Sequence, residues 1–203
     1  MHGGSGIGVI SDNESQPLII GSHLGQYAIV TVGAIRNIEA LAKRAFKKRA
    51  THFSEMSGGG INPTELFATL INKEESYVEG IRAAQETIEG SCTTLLLTEE
   101  GIYAARDRFG RTPLVVAKKE DSYAVTFETT ALQNLGYEIE RYLGPGEIVL
   151  VTEEGIEQKA PPGEELRICA FLWVYYGFPA SNYENINVEV VRNRCGAALA
   201  END

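Results

Sequence analysis

The spacing of apolar residues along the chain switches between two periods. Ile7–Ile10 and Pro17–Gly21 are short apolar runs bounded by polar residues or glycine, and both predict strands. Tyr27–Val32 (YAIVTV) is apolar or β-branched at every position, the pattern of a strand buried on both faces. From Asn37 to Ala50 the period lengthens, and Ile38, Leu41, Ala42, Ala45 and Phe46 recur at helical spacing. Lys43, Arg44, Lys47, Lys48 and Arg49 crowd the C-terminal half of that helix, where cations suit the helix dipole. A solvated helix end explains this basic run more simply than a phosphate site. Ser57–Gly60 is a flexible break. Pro63 then opens a helix through Thr64–Ile71, and Tyr77–Ile88 reads as another, ended by Gly90.

Beyond Ser91 the pattern becomes β. Strands are expected at Thr93–Thr98, Ile102–Arg106, Leu114–Lys118, Tyr123–Phe127, Ile139–Leu143 and Glu147–Val151. Glu100–Gly101, Phe109–Gly110, Pro145–Gly146 and Glu154–Gly155 supply turns. Pro161–Glu165 is a polar loop, Ile168–Phe178 is strongly aromatic, and Asn187–Ala200 predicts a closing helix. Strands and helices are segregated along the chain, which predicts a layered α+β domain rather than alternating βαβ units.

Composition narrows the function classes. The chain has 203 residues, 43% of them hydrophobic, enough for one large domain or two small ones. A formal net charge of −10 argues against a nucleic-acid partner, which calls for a basic surface. No apolar run approaches the roughly 18 residues of a membrane span. No basic segment followed by an apolar one marks a signal peptide, so a cytoplasmic location is expected. Cys92, Cys169 and Cys195 are far apart and lack metal-ligand spacing, which predicts reduced, buried thiols and no metal or cofactor. His2, His23 and His52 accompany no GxSxG serine, so serine-hydrolase chemistry is not expected. Asp12–Glu14 with Glu55 suggests a cation site, although solvated loop acids are the simpler reading.

Ala104–Val149 is the most informative stretch. A strand ends in Arg106–Asp107, a turn passes through Gly110, and Arg111, Pro113 and Leu114 follow. A further strand leads to Glu128, then Ala131–Leu132, and then Pro145–Gly146–Glu147. Most of these read as scaffold: Gly110 and Gly146 suit turns of positive φ, and Asp107 with Arg111 is placed to brace the hairpin between them. As an ordered set they resemble the signature of class II glutamine amidotransferases. That resemblance implies an N-terminal-nucleophile hydrolase fold, a four-layer α-β-β-α sandwich. Cys169–Pro179 (CAFLWVYYGFP) with Ser181, then Val188–Ala200 with Arg192, Arg194, Gly196 and Leu199, narrows the resemblance to the amidophosphoribosyltransferase family. It implies an amidotransferase-like domain over residues 1–180. Residues 181–203 would then be a helix linking to a phosphoribosyltransferase domain not seen here, with the family's first strands also missing from this chain. In the iron–sulfur subset of the family Cys169 matches a cluster cysteine, whose other ligands would lie in the absent domain, so no cluster is expected.

The resemblance also implies where the chemistry should lie. The family uses an N-terminal cysteine as nucleophile, with its own amino group as base. This sequence starts MHGGSG, and no cysteine precedes Cys92. Gly6–Pro17 matches a family segment whose arginine, which holds the glutamine α-carboxylate, falls at Ser11. Val30–Leu41 matches another, whose oxyanion-hole asparagine falls at Val32 while the following glycine survives as Gly33. The aspartate that grips the substrate amino group falls at Pro63. Three polar grips have become Ser, Val and Pro, which implies a degenerate pocket rather than a clipped chain alone. Three readings follow. The first is a glutaminase-like domain without glutaminase activity. The second is an active enzyme of purine synthesis whose cysteine lies outside this sequence, and the third a non-catalytic module binding another ligand. A glutamine-like molecule is then a doubtful partner, and the missing domain or N-terminal segment and a second copy in a homo-oligomer are the expected ones.

Overall fold

The computed structural model describes residues 4–11, 14–47, 53, 56–57 and 59–201. Its first half builds one edge of a large sheet and its helical cover. Strands β1 (Leu18–Ser22) and β2 (Gly25–Ile35) form an antiparallel hairpin. Helix α1 (Ile38–Lys47), the small ribbon of β3 (Met56–Ser57) with β4 (Gly60–Ile61), and helices α2 (Pro63–Ile71) and α3 (Tyr77–Thr87) follow. Asn62 caps α2 by accepting from the Thr64 and Glu65 amides, and Pro63 occupies the first turn, where no donor is lost. Ser76 caps α3 in the same way through the Glu79 amide.

The second half completes two sheets. Strands β5 (Gly90–Leu97), β6 (Ile102–Ala105), β10 (Ile148–Val151) and β11 (Ile156–Ala160) extend the first hairpin into a six-stranded sheet of order β1-β2-β5-β6-β10-β11. Strands β7 (Val115–Lys119), β8 (Ser122–Thr126) and β9 (Glu138–Tyr142) form a three-stranded sheet of order β8-β7-β9, with helix α4 (Thr129–Leu135) between β8 and β9 in sequence. A π-helical turn (Leu172–Tyr176), the short hairpin of β12 (Asn182–Tyr183) and β13 (Ile186–Asn187), and helix α5 (Val188–Ala200) close the chain.

Side-chain alternation explains why these elements stack in layers. In β6 and β10, Ala105, Ile148 and Leu150 join a core with Leu66, Phe67, Ile71, Ile81 and Ala84 of α2 and α3. Their neighbours Ala104, Val149 and Val151 face the other way, onto Leu114, Val116 and Leu143. On β7, Val116 points into that inter-sheet core, while Val115 and Ala117 pack with Leu132 of α4. The result is helix, large sheet, small sheet, helix: the expected four-layer α+β sandwich. Burying each large aliphatic or aromatic side chain in these cores stabilises by about 1.5–3 kcal/mol.

Several expectations are corrected. Ile7–Ile10 has no ladder partner among the described residues: Gly8 interrupts it, and the Ile10 side chain is fully exposed. The sequence pattern misses α4 because the helix is one short run opening on two β-branched threonines; Glu128 and Gly136 set its ends. It misses β11 because this edge strand exposes Glu157 and Gln158. Only Cys92 is a buried thiol; Cys169 and Cys195 are exposed, the first before the aromatic turn and the second on α5, which buries only Val188. Of the basic run on α1, Lys43 and Arg44 are exposed, with a solvated Lys43–Glu39 pair at 3.9 Å. His2, Asp12, Lys48, Arg49, His52, Glu55 and Gly58 lie outside the described residues.

The Arg106–Glu147 signature is densely bonded inside the fold. Arg106 is buried; Nε donates to Thr112 O (3.1 Å), Nη1 to Leu143 O (2.5 Å) and Nη2 to Gly110 O (2.7 Å). Its Nη2 also stands 2.7 Å from Glu184 Oε1, an ion pair whose angle falls outside hydrogen-bond geometry. Asp107 accepts from the Phe109 and Thr112 amides and, more weakly, the Thr93 hydroxyl. The hairpin is therefore braced by Arg106 and Asp107. Arg111 instead lies over the Phe109 ring at 5.9 Å. Gly110 and Gly146 take φ of 64° and 68°, Pro113 is buried, and Pro145 O accepts from Gly163 N. Glu147 is buried and accepts from Arg141 (2.8 Å), Gly144 N (2.7 Å) and Gln158 (2.6 Å).

Candidate functional site

Two clefts open on either side of the outer end of β2. The smaller, about 380 Å³, is formed where the segment before β1 crosses the ends of β2 and β5 and the start of α2. Its walls include Ser11, Val32, Gly33 and Pro63, so the fold brings together all four pocket positions singled out in the sequence. They come from three separate elements, and the β2–β5 ladder, which pairs Gly33 with Cys92, fixes two of them.

Gly33 is required by the sheet itself. Its φ is +151°, and a Cβ there would stand 2.1 Å from the Ser91 carbonyl oxygen. The residue is thus explained by the close approach of two backbones, whatever else it does. Pro63 is explained by its place at the start of α2.

A polar network that single-sequence reasoning did not find lines the same cleft. Gln16 donates to Glu14 (3.0 Å) and accepts from the Thr31 amide (2.7 Å). The Thr31 and Thr64 hydroxyls are 2.6 Å apart, and Thr64 donates to Glu14 at 3.4 Å. The Glu14 amide donates to Ser11 Oγ at 3.1 Å. Alternation along β2 places Thr31 on the same face as Ile29, toward α2, but only the pairing of distant elements sets Glu14 beside it.

Cys92 also reaches this cleft. Burial pushes its thiol well above the ordinary value, the negative charges of Asp107 and Glu14 push it further, and a Thr31 hydrogen bond offsets only part. A thiol held protonated in this way is a poor nucleophile. The described lining contains no lysine, arginine or histidine, and its one charged side chain is Glu14.

The larger cleft, about 870 Å³, lies between the two sheets. Its walls are mostly apolar, among them Val30, Leu95, Leu114, Val125, Phe127 and Phe178. Glu128 stands at its edge, committed to internal bonds. Its carboxylate accepts from the Ser181 and Thr130 hydroxyls, from the Thr130 amide at 3.0 Å and from Tyr183 at 3.0 Å. Val32 lines both clefts.

Comparison with known proteins gives this geometry a family. Residues 6–134 match the model of the glutamine amidotransferase domain. The amidophosphoribosyltransferase of Synechocystis sp. is 30% identical over 92% of this chain and 38% of its own length. That of Escherichia coli is 28% identical over 96% of this chain and 41% of its own. The solved glutamine phosphoribosylpyrophosphate amidotransferase of B. subtilis, complexed with ADP and GMP, superposes with a TM-score of 0.82 at 27% identity, covering 94% of this chain and 41% of that one. The chain thus spans about 40% of the length of the curated relatives it matches. These relatives share the N-terminal-nucleophile hydrolase fold, to which the four layers correspond. This chain belongs to the glutamine amidotransferase domain family, in its amidophosphoribosyltransferase branch.

Proposed function

We propose that this chain is a glutamine amidotransferase-type domain that no longer hydrolyses glutamine, within an amidophosphoribosyltransferase-type protein of purine nucleotide synthesis. The observation that carries this reading is the cleft at Ser11, Val32, Gly33 and Pro63, whose one charged described side chain is the carboxylate of Glu14. Glutamine presents an α-carboxylate. In the family an arginine receives it; here Ser11 offers one hydroxyl, and Glu14 repels it. Val32 offers no oxyanion donor, a loss of roughly two to three decades in rate by itself. Cys92, held as a thiol, does not replace the nucleophile. The reading does not depend on which residue opens the full protein.

The role that remains to such a domain is structural or regulatory, toward a phosphoribosyltransferase domain that would draw on free ammonia. We place the domain boundary near residue 180, with the Asn182–Asn187 hairpin folded back onto the domain through the Ser181 and Tyr183 bonds to Glu128 and the Glu184 pair with Arg106. Phe171, Tyr175, Tyr176 and Phe178 concentrate apolar surface on and around the π-helical turn. We place the transferase contact there, in a cytoplasmic homo-oligomer. The test is glutamate release from L-glutamine by this chain and by any longer form of the protein. No release above the spontaneous background is expected; release at enzymatic rates would overturn the reading.

A further inference from the structure

We propose that the small cleft beside β2 is a binding site for a small primary amine, with the Glu14 carboxylate as its counter-ion. The inference rests on the reading of this cleft as one that has lost its glutamine grips, and goes on to name what the remaining chemistry recognises. Glu14 is half-buried and lines the cleft. Its Oε2 accepts from two neutral donors, the Gln16 amide at 3.0 Å and the Thr64 hydroxyl at 3.4 Å. Its Oε1 makes none of the described hydrogen bonds, and none of the described ion pairs involves Glu14. A carboxylate drawn partly out of water, bonded on one oxygen by neutral donors, gains most from a cation brought to the other.

Among the described lining residues the one charge is negative, that of Glu14. The negative charges of Glu14 and Asp107 both act on the Cys92 thiol, which lies in the cleft wall. Of the two guanidiniums flanking Asp107 in sequence, that of Arg106 is engaged by three carbonyls and Glu184, and that of Arg108 lies over the Phe109 ring at 5.2 Å. The whole chain carries a net charge of −10, which raises the local concentration of cations further. Among the described residues no group of three His, Cys, Asp or Glu stands together to ligate a metal ion. An ammonium head fits better: it brings N–H donors to acceptors that are already present, the free Glu14 oxygen and the paired hydroxyls of Thr31 and Thr64. Val9, Val32 and Ile35 supply apolar wall for a short carbon tail. At about 380 Å³ the cleft falls in the range of small-molecule sites.

Calorimetric titration of the full chain with n-butylammonium, 1-butanol, butyrate and L-glutamine tests the assignment. Butylammonium is expected to bind about tenfold more tightly than its neutral isostere butanol, the worth of one charge-assisted hydrogen bond. Butyrate is expected not to bind. Glu14→Gln keeps an acceptor for Gln16 and Thr64 and should melt near the wild-type temperature, yet it should lose the preference for the amine. Equal affinity for butylammonium and butanol, no binding of butylammonium, or a preference that survives Glu14→Gln would each overturn the proposal while leaving the loss of glutaminase activity intact. Binding of L-glutamine would instead sink the reading on which the proposal rests.

Discussion

Arg106 and Glu147, which flank β6 and β10, and the cleft at Ser11 border the same large sheet, yet their polar groups are in opposite states. In the signature, buried charges have partners on nearly every side: Arg106 has three carbonyls and Glu184, and Glu147 has an arginine, an amide and a glutamine. In the cleft, hydroxyls and one carboxylate bond among themselves and leave an oxygen open. The first arrangement stabilises a fold, and the second leaves room for a ligand; on the function proposed above, that ligand is not glutamine. The residues that hold the architecture and those that line the cleft barely overlap, so the proposed loss of glutamine chemistry would leave the fold intact. Gly33 belongs to both settings, and the sheet alone explains it.

The largest expected effect breaks the signature side. Arg106→Ala would strand the Gly110, Thr112 and Leu143 carbonyls and leave Glu184 unpaired, at a cost of about 3–5 kcal/mol in urea unfolding. A loss below about 1 kcal/mol would mean these contacts are ornamental. Next is Gly33→Ala. Backbone strain alone costs about 1–3 kcal/mol, and the overlap with Ser91 adds to it. Gly8→Ala, at the rim of the larger cleft, meets nothing within 4 Å and should leave the melting temperature almost unchanged. Similar losses for both variants would contradict the assignment of Gly33 to the sheet.

A smaller effect concerns Glu128. Burial alone would raise its pKa, but the hydrogen bonds from Ser181, Thr130 and Tyr183 outweigh it and hold the carboxyl below the ordinary value of 4.5. The sign follows: the stabilisation is present above the ordinary value and is lost as pH falls through the depressed one. In acid unfolding, Glu128→Gln should remove that part of the pH dependence. An unchanged acid limb would show that the Ser181–Tyr183 contacts contribute little.

Much of the fold was legible because period and punctuation agreed. Pro63 and Gly90 bracket the helical pair, and Val115–Ala117 and Ile148–Val151 are uniformly apolar where each face meets a layer. Ile7–Ile10 misled because an apolar run without a pairing strand has no ladder to join. Thr129–Leu135 hid because its ends are set by Glu128 and Gly136 rather than by a long apolar stripe. The cleft was legible only through resemblance, which picked Ser11, Val32, Gly33 and Pro63 from distant points of the chain. Glu14 and Thr31 carry no motif. They become neighbours through contacts spanning tens of residues, as in the Thr31–Thr64 pair, and no local pattern encodes that.

Direct calorimetric titration of the chain with L-glutamine tests the central claim most simply, because it asks whether the grips are gone without requiring any turnover. The account predicts no heat of binding and no rise in melting temperature at glutamine concentrations that saturate active amidotransferases. A ligand at a hundredfold its Kd stabilises by about 2.7 kcal/mol. A saturable binding isotherm with a matching rise in melting temperature would contradict the account.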